Sequence, residues 1–400
     1  MGNMNLTPFA AAFATIATQS YDYTPLKSVA RTFEDAQSAR LSIQNRLLQH
    51  AASLRGIDVL KRNVDKDEEE KAAKAGAEAR DQLVADFNAV VATVRDKRAT
   101  AASKAADAAA RKSVLAALTT AGITDKDTIK SATTAALETA RPERVERSIA
   151  DIPLSTLAAA VAETTLPHGI LSQAGELLNV TLSLCRQLAD SDEFEARASR
   201  SLESALRDAP IYREFLANVK GIGPSMAGSL LANIDIHKSQ YASSLWAYAG
   251  LDVGPDGRGR SRRAEHLVEV NYTDKEGKAA TRKGLSFNPD LKTTLFLCAT
   301  SFLKVGVERS PYAKVYYDTK HRLENHAIYG VHNDGKEVEG KGRIQPNRRH
   351  MMGMRAAQKR FLVDLYKAWR ALEGLPVAPE YSEAKLSMTH GSADKYRVAA

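Results

Sequence analysis

The first third of the chain has a composition that strongly favours long helices. Between Thr24 and Ala117 the dominant residues are alanine, arginine, lysine, glutamate, glutamine and leucine, and no proline occurs between Pro25 and Pro142. These residue types have high helix propensity. Apolar residues recur there at helical spacing in two stripes, namely Phe33, Leu41, Leu47, Leu48 and Leu54, and then Leu83, Phe87, Val90, Val91 and Val94.

We therefore predict a long-helix or coiled-coil region over residues 1–118, through which the protein forms a homo-oligomer. A basic helical face laid along nucleic acid is the alternative for this region. A helical bundle linker domain is predicted over residues 119–204, a DNA-binding domain over 205–375 and a flexible tail over 376–400. Apolar and polar residues alternate in His266–Tyr272, and a turn follows at Asp274–Lys278. This pattern predicts a small β-hairpin inserted in the DNA-binding domain. The predicted fold class is mainly α.

Several function classes are disfavoured by what the sequence lacks. The two cysteines, Cys185 and Cys298, are far apart among apolar neighbours, so we expect buried thiols in a reducing, cytoplasmic compartment. No apolar run is long enough to span a membrane, and no Lys or Arg precedes the apolar stretch Phe9–Ala17, which argues against a secretory signal. The histidines fall at no metal-ligand spacing and no nucleotide-binding loop is present. No cofactor or metal site is identified.

The positive charge is concentrated in one segment. The chain has a net charge of +8. Between Lys341 and Arg370 one acid, Asp364, stands against nine basic residues: Lys341, Arg343, Arg348, Arg349, Arg355, Lys359, Arg360, Lys367 and Arg370. This segment therefore carries +8 by itself, and such a concentration is typical of a surface that binds a phosphate backbone. Arg348, Arg355 and Lys359 share one face of the predicted helix, at steps of seven and four residues.

Residues Val219–Leu231 have the pattern of a helix-hairpin-helix. Gly221-Ile222-Gly223 separates an apolar helix end from Pro224 and a second apolar helix. Glycine permits positive φ and lets a phosphate approach the backbone N–H groups, and a helix N-terminus attracts anions. We expect Gly221, Gly223 and Ser225 to contact DNA. A purely structural helix turn is the alternative.

The second half of the chain resembles a known domain. The order is Gly221-Ile-Gly-Pro, Trp246-Ala-Tyr-Ala-Gly-Leu251, a Gly/Arg-rich loop, Asn288-Pro-Asp-Leu-Lys292, and two final helices. It resembles the C-terminal transposase domain of the insertion-sequence family that includes the Piv-type DNA invertases and the bridge-RNA-guided recombinases. The resemblance covers roughly residues 205–375 and implies binding of double-stranded DNA. It also leaves a guide RNA open as a further partner.

Two features depart from that family. Its members have an N-terminal domain with four acidic metal ligands, whereas residues 1–200 here have a helical composition. Its nucleophilic serine follows the Ala-Gly-Leu element closely, and the nearest hydroxyl here is Ser261, between Arg260 and Arg262. The resemblance makes Ser261 the candidate catalytic residue, with Mg²⁺ open as its cofactor; a loop serine on a basic surface is the alternative.

Two main hypotheses follow. The first is a transposase-like protein acting in DNA transposition or site-specific recombination. Its DNA contacts comprise the glycine turn, the loop residues Arg258, Arg260, Arg262 and Arg263, and the helix residues Arg348, Arg349, Arg355 and Lys359. The second is a non-catalytic DNA-binding or scaffolding protein derived from a mobile element. A repair or Holliday-junction factor is a third option.

Overall fold

The protein is described here from a computed structural model, over residues 21–59, 65–140, 149–254, 259–323 and 346–379, without the side chain of Ala150. Helix accounts for 74% of the structure and one small antiparallel hairpin accounts for the strands, which confirms the predicted mainly α fold class. Eleven α-helices lie within the described residues. They are α1 Thr24–Leu54, α2 Lys66–Thr120, α3 Lys126–Thr139, α4 Leu154–Val161, α5 Leu178–Asp208, α6 Pro210–Glu214, α7 Pro224–Asn233, α8 Ala242–Tyr248, α9 Pro289–Val305, α10 Pro311–Arg322 and α11 Pro346–Leu372.

Proline residues mark where several of these helices begin. Pro210, Pro224, Pro289 and Pro311 each lie in the first turn of a helix. Proline fits there because its φ is already helical and the first N–H groups of a helix have no internal partner. The side chain of Asn288 accepts hydrogen bonds from the N–H groups of Asp290 and Leu291, and so caps α9.

The predicted hairpin is present. Strand β1, Leu267–Thr273, pairs in antiparallel register with β2, Ala279–Leu285, so that Val270 lies opposite Arg282. The turn contains Gly277 at φ +81°, a conformation that glycine adopts without strain. Asp274 accepts hydrogen bonds from the N–H groups of Glu276 and Lys278. The change from helical to alternating spacing of apolar residues at His266–Tyr272 therefore predicted this strand correctly.

The chain divides into two compact units. One unit comprises Asp35–Arg197. The other combines the segment up to Glu34 with the chain from Ala198 onward. The boundaries at residues 118 and 204 stay predictions.

The Asp35–Arg197 unit has an apolar core around Leu83, Phe87 and Val90 of α2. The buried carboxylate of Asp86 accepts hydrogen bonds from the N–H groups of His168 and Leu171, at 2.9 and 3.1 Å. It therefore provides acceptors for two backbone donors of a turn that enters this core. In α2 none of the residues after Val94 is buried. Self-association through these helices stays a prediction.

In the unit that contains Ala198–Ala400, helix α11 lies at the centre. Its Phe361 packs edge-on against Tyr312 of α10, with ring centres 5.4 Å apart, and against Phe302 of α9 at the same distance. Both cysteines are buried free thiols, as predicted, and burial raises the pKa of each to about 12. Among the described helices, none combines the length and apolar character needed to cross a bilayer.

Candidate nucleic-acid interface

The glycine turn between α6 and α7 forms as the sequence predicts, although its first helix is short. Helix α6 has five residues and continues into a single 3₁₀ turn, Leu216–Asn218. Gly221 follows at φ +100°, which only glycine adopts readily. Its carbonyl accepts a hydrogen bond from Ser301 Oγ of α9 at 2.7 Å. A Cβ atom at this position would lie 3.1 Å from that hydroxyl, so Gly221 is required by the fold itself.

Gly223 has a different environment. Its φ of −99° and ψ of 174° suit any residue, and a Cβ atom there would meet nothing within 4 Å. Gly223 is the N-cap of α7 and supplies no side-chain cap. Within the described chain, no acceptor bonds the N–H groups of Ser225 and Met226 in the first turn. The turn therefore offers open space and free amide donors to an external anion.

A second feature is a group of charges that we call the cationic cluster: Arg260, Lys292, Arg355 and Lys359 around the single carboxylate Asp252. Arg260 Nε donates to Asp252 Oδ2 at 2.8 Å, and Lys292 Nζ donates to the carbonyl of Arg260. Arg355 lies so close to Gly259 that a Cβ atom there would collide with its guanidinium. The cluster thus joins the loop after α8, the first turns of α9 and one face of α11.

Aromatic rings hold the two lysines of this cluster. The ammonium of Lys292 lies 4.4 Å from the centre of the Phe287 ring, and that of Lys359 lies 4.9 Å from the centre of the Trp246 ring. Cations at these distances are attracted by the negative face of the ring. The rings therefore fix the lysine side chains without neutralising them.

Burial weakens the charged state of the cluster. It lowers the pKa of Lys292 and of Lys359, and the positive charge of Arg355 lowers the pKa of both further, whereas Asp252 raises them. Burial likewise lowers the pKa of Arg355. The cations repel each other, and a single carboxylate that already pairs with Arg260 cannot compensate for all of them.

Ser261, the candidate nucleophile, lies next to a histidine that the sequence did not single out. Its Oγ is 3.1 Å from Nδ1 of the buried His266, and its N–H donates to the same nitrogen at 3.0 Å. Nδ1 therefore acts as an acceptor, which is the form able to take a proton from a hydroxyl. The hydroxyl also accepts from the N–H of Arg263 at 3.4 Å, as in a local turn.

Not every predicted contact lies on a shared surface. Arg262 and Arg263 are exposed, as is Ser225, and Arg348 is half-buried at the start of α11. Arg349 is buried, with 8% exposure, so we exclude it from the interface. Arg258 lies outside the described residues.

The described basic residues between Lys341 and Arg370 likewise do not all face one surface. Of these residues, Arg370 is buried and donates to three main-chain carbonyls, and Arg360 pairs with Asp364. The concentration of charge in the sequence therefore exceeds the charge that these described residues present to solvent, because a helix packed at the centre of a unit exposes only part of its surface.

The glycine turn and the cationic cluster lie at opposite ends of α9. Ser301, which holds Gly221, is nine positions beyond Lys292 in this helix. Helix α7 runs antiparallel to α9, since Ser229 contacts Thr294 at 3.0 Å and Asn233 contacts Asn288 at 3.0 Å. At 1.5 Å per residue the two features are about 14 Å apart along the helix axis.

Sequence reasoning missed Lys292, Asp252, Trp246 and His266 as site residues. The first three lie in or beside the segments that carry the family resemblance, but nothing in their spacing shows which side chains converge. The described residues contain no group of three or more His, Cys, Asp or Glu side chains that could hold a metal ion. Comparisons with protein-family models, with curated proteins and with solved structures found no match.

Proposed function

We propose that this protein binds double-stranded DNA through the sugar-phosphate backbone and acts as a transposase-like recombination protein. The observation that supports this function is the cationic cluster. Three segments that are far apart in the sequence bring Arg260, Lys292, Arg355 and Lys359 together around one acid. Together these residues carry a charge of about +3, which suits a polyanion.

The glycine turn adds a second kind of donor to the same unit. Its free amides bind phosphate without regard to base sequence, and the exposed Arg262 and Arg263 extend the positive surface beside Ser261. Contacts of this kind position DNA but specify little of its sequence. Target choice would therefore depend on DNA shape, on a guide RNA or on a protein partner.

Salt dependence of duplex binding tests this function. The double variant Arg355→Glu, Lys359→Glu should bind a 30-bp duplex more weakly than the unchanged protein. The slope of log affinity against log salt should also fall by about 2, since each lost phosphate contact removes about 0.9. Lys126→Glu, Lys130→Glu is the matched control, because it makes the same charge change at exposed positions of α3. Equal slopes for the two double variants would contradict the proposal.

The proposal includes strand cleavage by Ser261, which the contact between Ser261 Oγ and His266 Nδ1 supports. In such a step Ser261 Oγ would bond to phosphorus while its proton passes to His266. The bond from phosphorus to the leaving sugar oxygen would break, and that oxygen would keep the electron pair and take a proton from water. Supercoiled DNA with Mg²⁺ or Mn²⁺ is the substrate for the test. Cleavage abolished in Ser261→Ala supports catalysis; duplex binding without any cleavage supports the non-catalytic alternative.

A further inference from the structure

Three cations of the cationic cluster have no ion-pair partner among the described residues. Lys292, Arg355 and Lys359 form no salt bridge there, and the nearby Asp252 pairs through Oδ2 with Arg260. The other oxygen of Asp252, Oδ1, is buried and accepts no hydrogen bond within the described chain. The carboxylate of Asp252 therefore acts on these three side chains through its charge alone, without a hydrogen bond or ion pair to any of them.

This arrangement opposes folding. Taking a charge out of water is unfavourable unless a partner compensates for it, and here each lysine is also repelled by Arg355. A chain selected for stability alone would place apolar side chains between Trp246, Phe287 and Gly259. Charges that weaken the fold in this way are typical of a site whose ligand supplies the missing opposite charge.

We infer that Lys292, Arg355 and Lys359 form a binding site for one phosphate group. The planar guanidinium of Arg355 presents parallel N–H donors that match two phosphate oxygens. The two ammonium groups supply point charges and are held in place by the rings of Phe287 and Trp246. The ligand is therefore a phosphate held by three positive side chains. The site also adjoins Ser261, because Lys292 donates to the carbonyl of Arg260, the residue that precedes Ser261.

This inference deepens the proposed function and rests on it for the source of the phosphate. A nucleic-acid backbone and free phosphate share the same chemistry at the site. A mononucleotide separates these sources, because dTMP carries its phosphate as an ester of a sugar that bears a base. We expect dTMP to bind more tightly than inorganic phosphate.

Thermal unfolding of the full chain, with inorganic phosphate or chloride at equal ionic strength, tests the site. Phosphate should raise the Tm of the unchanged protein more than chloride does. Lys359→Met should have a higher Tm than the unchanged protein in chloride, since it removes a repelled charge, and its phosphate Kd should rise at least tenfold. Lys314→Met, at an exposed lysine of α10 that pairs with Asp318, is the control and should keep the full phosphate effect.

A second variant covers the case in which Lys359→Met does not fold. Lys292→Met should weaken phosphate binding in the same way, and equilibrium dialysis with labelled phosphate measures its binding directly. No phosphate-specific rise in the unchanged protein would overturn the inference. So would an undiminished phosphate effect in both variants, since the lysines would then be held only by packing.

The duplex assay separates the two proposals. Phosphate binding that depends on Lys292 and Lys359, without any duplex binding, would keep the site and reject the DNA-binding function. Duplex binding with an unchanged Kd in both lysine variants would keep the function and reject the site. Tighter binding of inorganic phosphate than of dTMP would leave the phosphate site in place and contradict a nucleic-acid source.

Discussion

Lys359 and Trp246 contact each other twice. The indole N–H of Trp246 donates to the main-chain carbonyl of Lys359 at 3.3 Å, while the ammonium of Lys359 lies 4.9 Å from the centre of the same ring. A single side chain thus fixes both the backbone of α11 and the charge that α11 contributes to the cationic cluster. Trp246 is therefore a positioning residue for this charge as well as a packing residue for α8.

Replacement of Trp246 separates these roles. Trp246→Phe keeps a ring beneath the ammonium and loses the hydrogen bond, so we expect a loss of about 1 kcal/mol of unfolding free energy and near-normal duplex affinity. Trp246→Leu removes the ring as well. It should cost about 3 kcal/mol and weaken duplex binding several-fold. Urea unfolding and a duplex titration at fixed salt measure the two effects, and equal affinity of both variants would contradict the positioning role.

Gly223→Ser should change stability and binding in opposite directions. Serine is a good N-cap and the backbone at this position already suits it, so α7 should gain a few tenths of a kcal/mol. Its hydroxyl would occupy the open space and take up one of the free amide donors. Duplex affinity should therefore fall several-fold while the Tm is unchanged or slightly higher. Unaltered affinity would show that the turn serves only the fold.

Gly221→Ala is the matched variant for the same turn. Its φ of +100° is strained for alanine, and the added Cβ atom would press against Ser301 and Val305 of α9. We expect a loss of about 1–3 kcal/mol of unfolding free energy. Consequently a variant that changes both glycines tests the fold and the interface together, whereas Gly223 alone tests the interface.

The contribution of the cationic cluster to folding stability should rise, and not fall, as the pH becomes alkaline. The pKa of Lys292 and of Lys359 is lowered in the folded protein from the ordinary value of 10.5. In the window just below 10.5 the unfolded chain therefore binds more protons, and these two groups make the folded protein more stable as pH rises. Phosphate affinity should fall over the same window as the ammonium groups lose their charge.

The double variant Lys292→Met, Lys359→Met isolates this effect from the other titrating groups. Urea unfolding from pH 8 to 10.5 should show a more positive slope of stability against pH in the unchanged protein than in this variant. Identical slopes would mean that the lysines titrate normally in the folded state.

Arg370 should be essential to the fold and irrelevant to charge-dependent binding. Its guanidinium is buried and donates to the carbonyls of Ile236, Ser239 and Pro376, at 3.2, 2.8 and 2.6 Å. Arg370→Met leaves the carbonyls of Ser239 and Pro376 without this donor, whereas that of Ile236 keeps the N–H of Ser239, and the change should cost about 3 kcal/mol. The salt slope of duplex binding, measured well below the Tm, should not change. A reduced slope would place Arg370 in the interface.

Much of the local structure could be read from the sequence. The proline at the start of α7, the positive φ of Gly221 and the alternation around Val270 each depend on short-range sterics, and each forms where it is expected. The glycine turn was predictable for the same reason. Its first helix is shorter than the apolar pattern suggests, because Phe215, at φ −128°, interrupts the helix before the turn.

The candidate site was predictable only in part. Arg260, Arg355 and Lys359 do converge, but the helical spacing of Arg348, Arg355 and Lys359 cannot show which residues of α11 face α8 and which face solvent. Arg349 and Arg370 are basic residues with buried side chains, and nothing in the sequence separates them from the others. Lys292 and Asp252 depend on contacts between distant segments, which a local pattern does not contain.

The placement of the glycine turn and the cationic cluster at the two ends of α9 sets a minimum size for a ligand that touches both. Successive phosphates of one strand are about 3.4 Å apart along a duplex, so a separation of about 14 Å corresponds to four or five nucleotides. A mononucleotide can occupy one end only. Affinity measured over a series of oligonucleotides should therefore rise abruptly once the strand becomes long enough to bridge the helix.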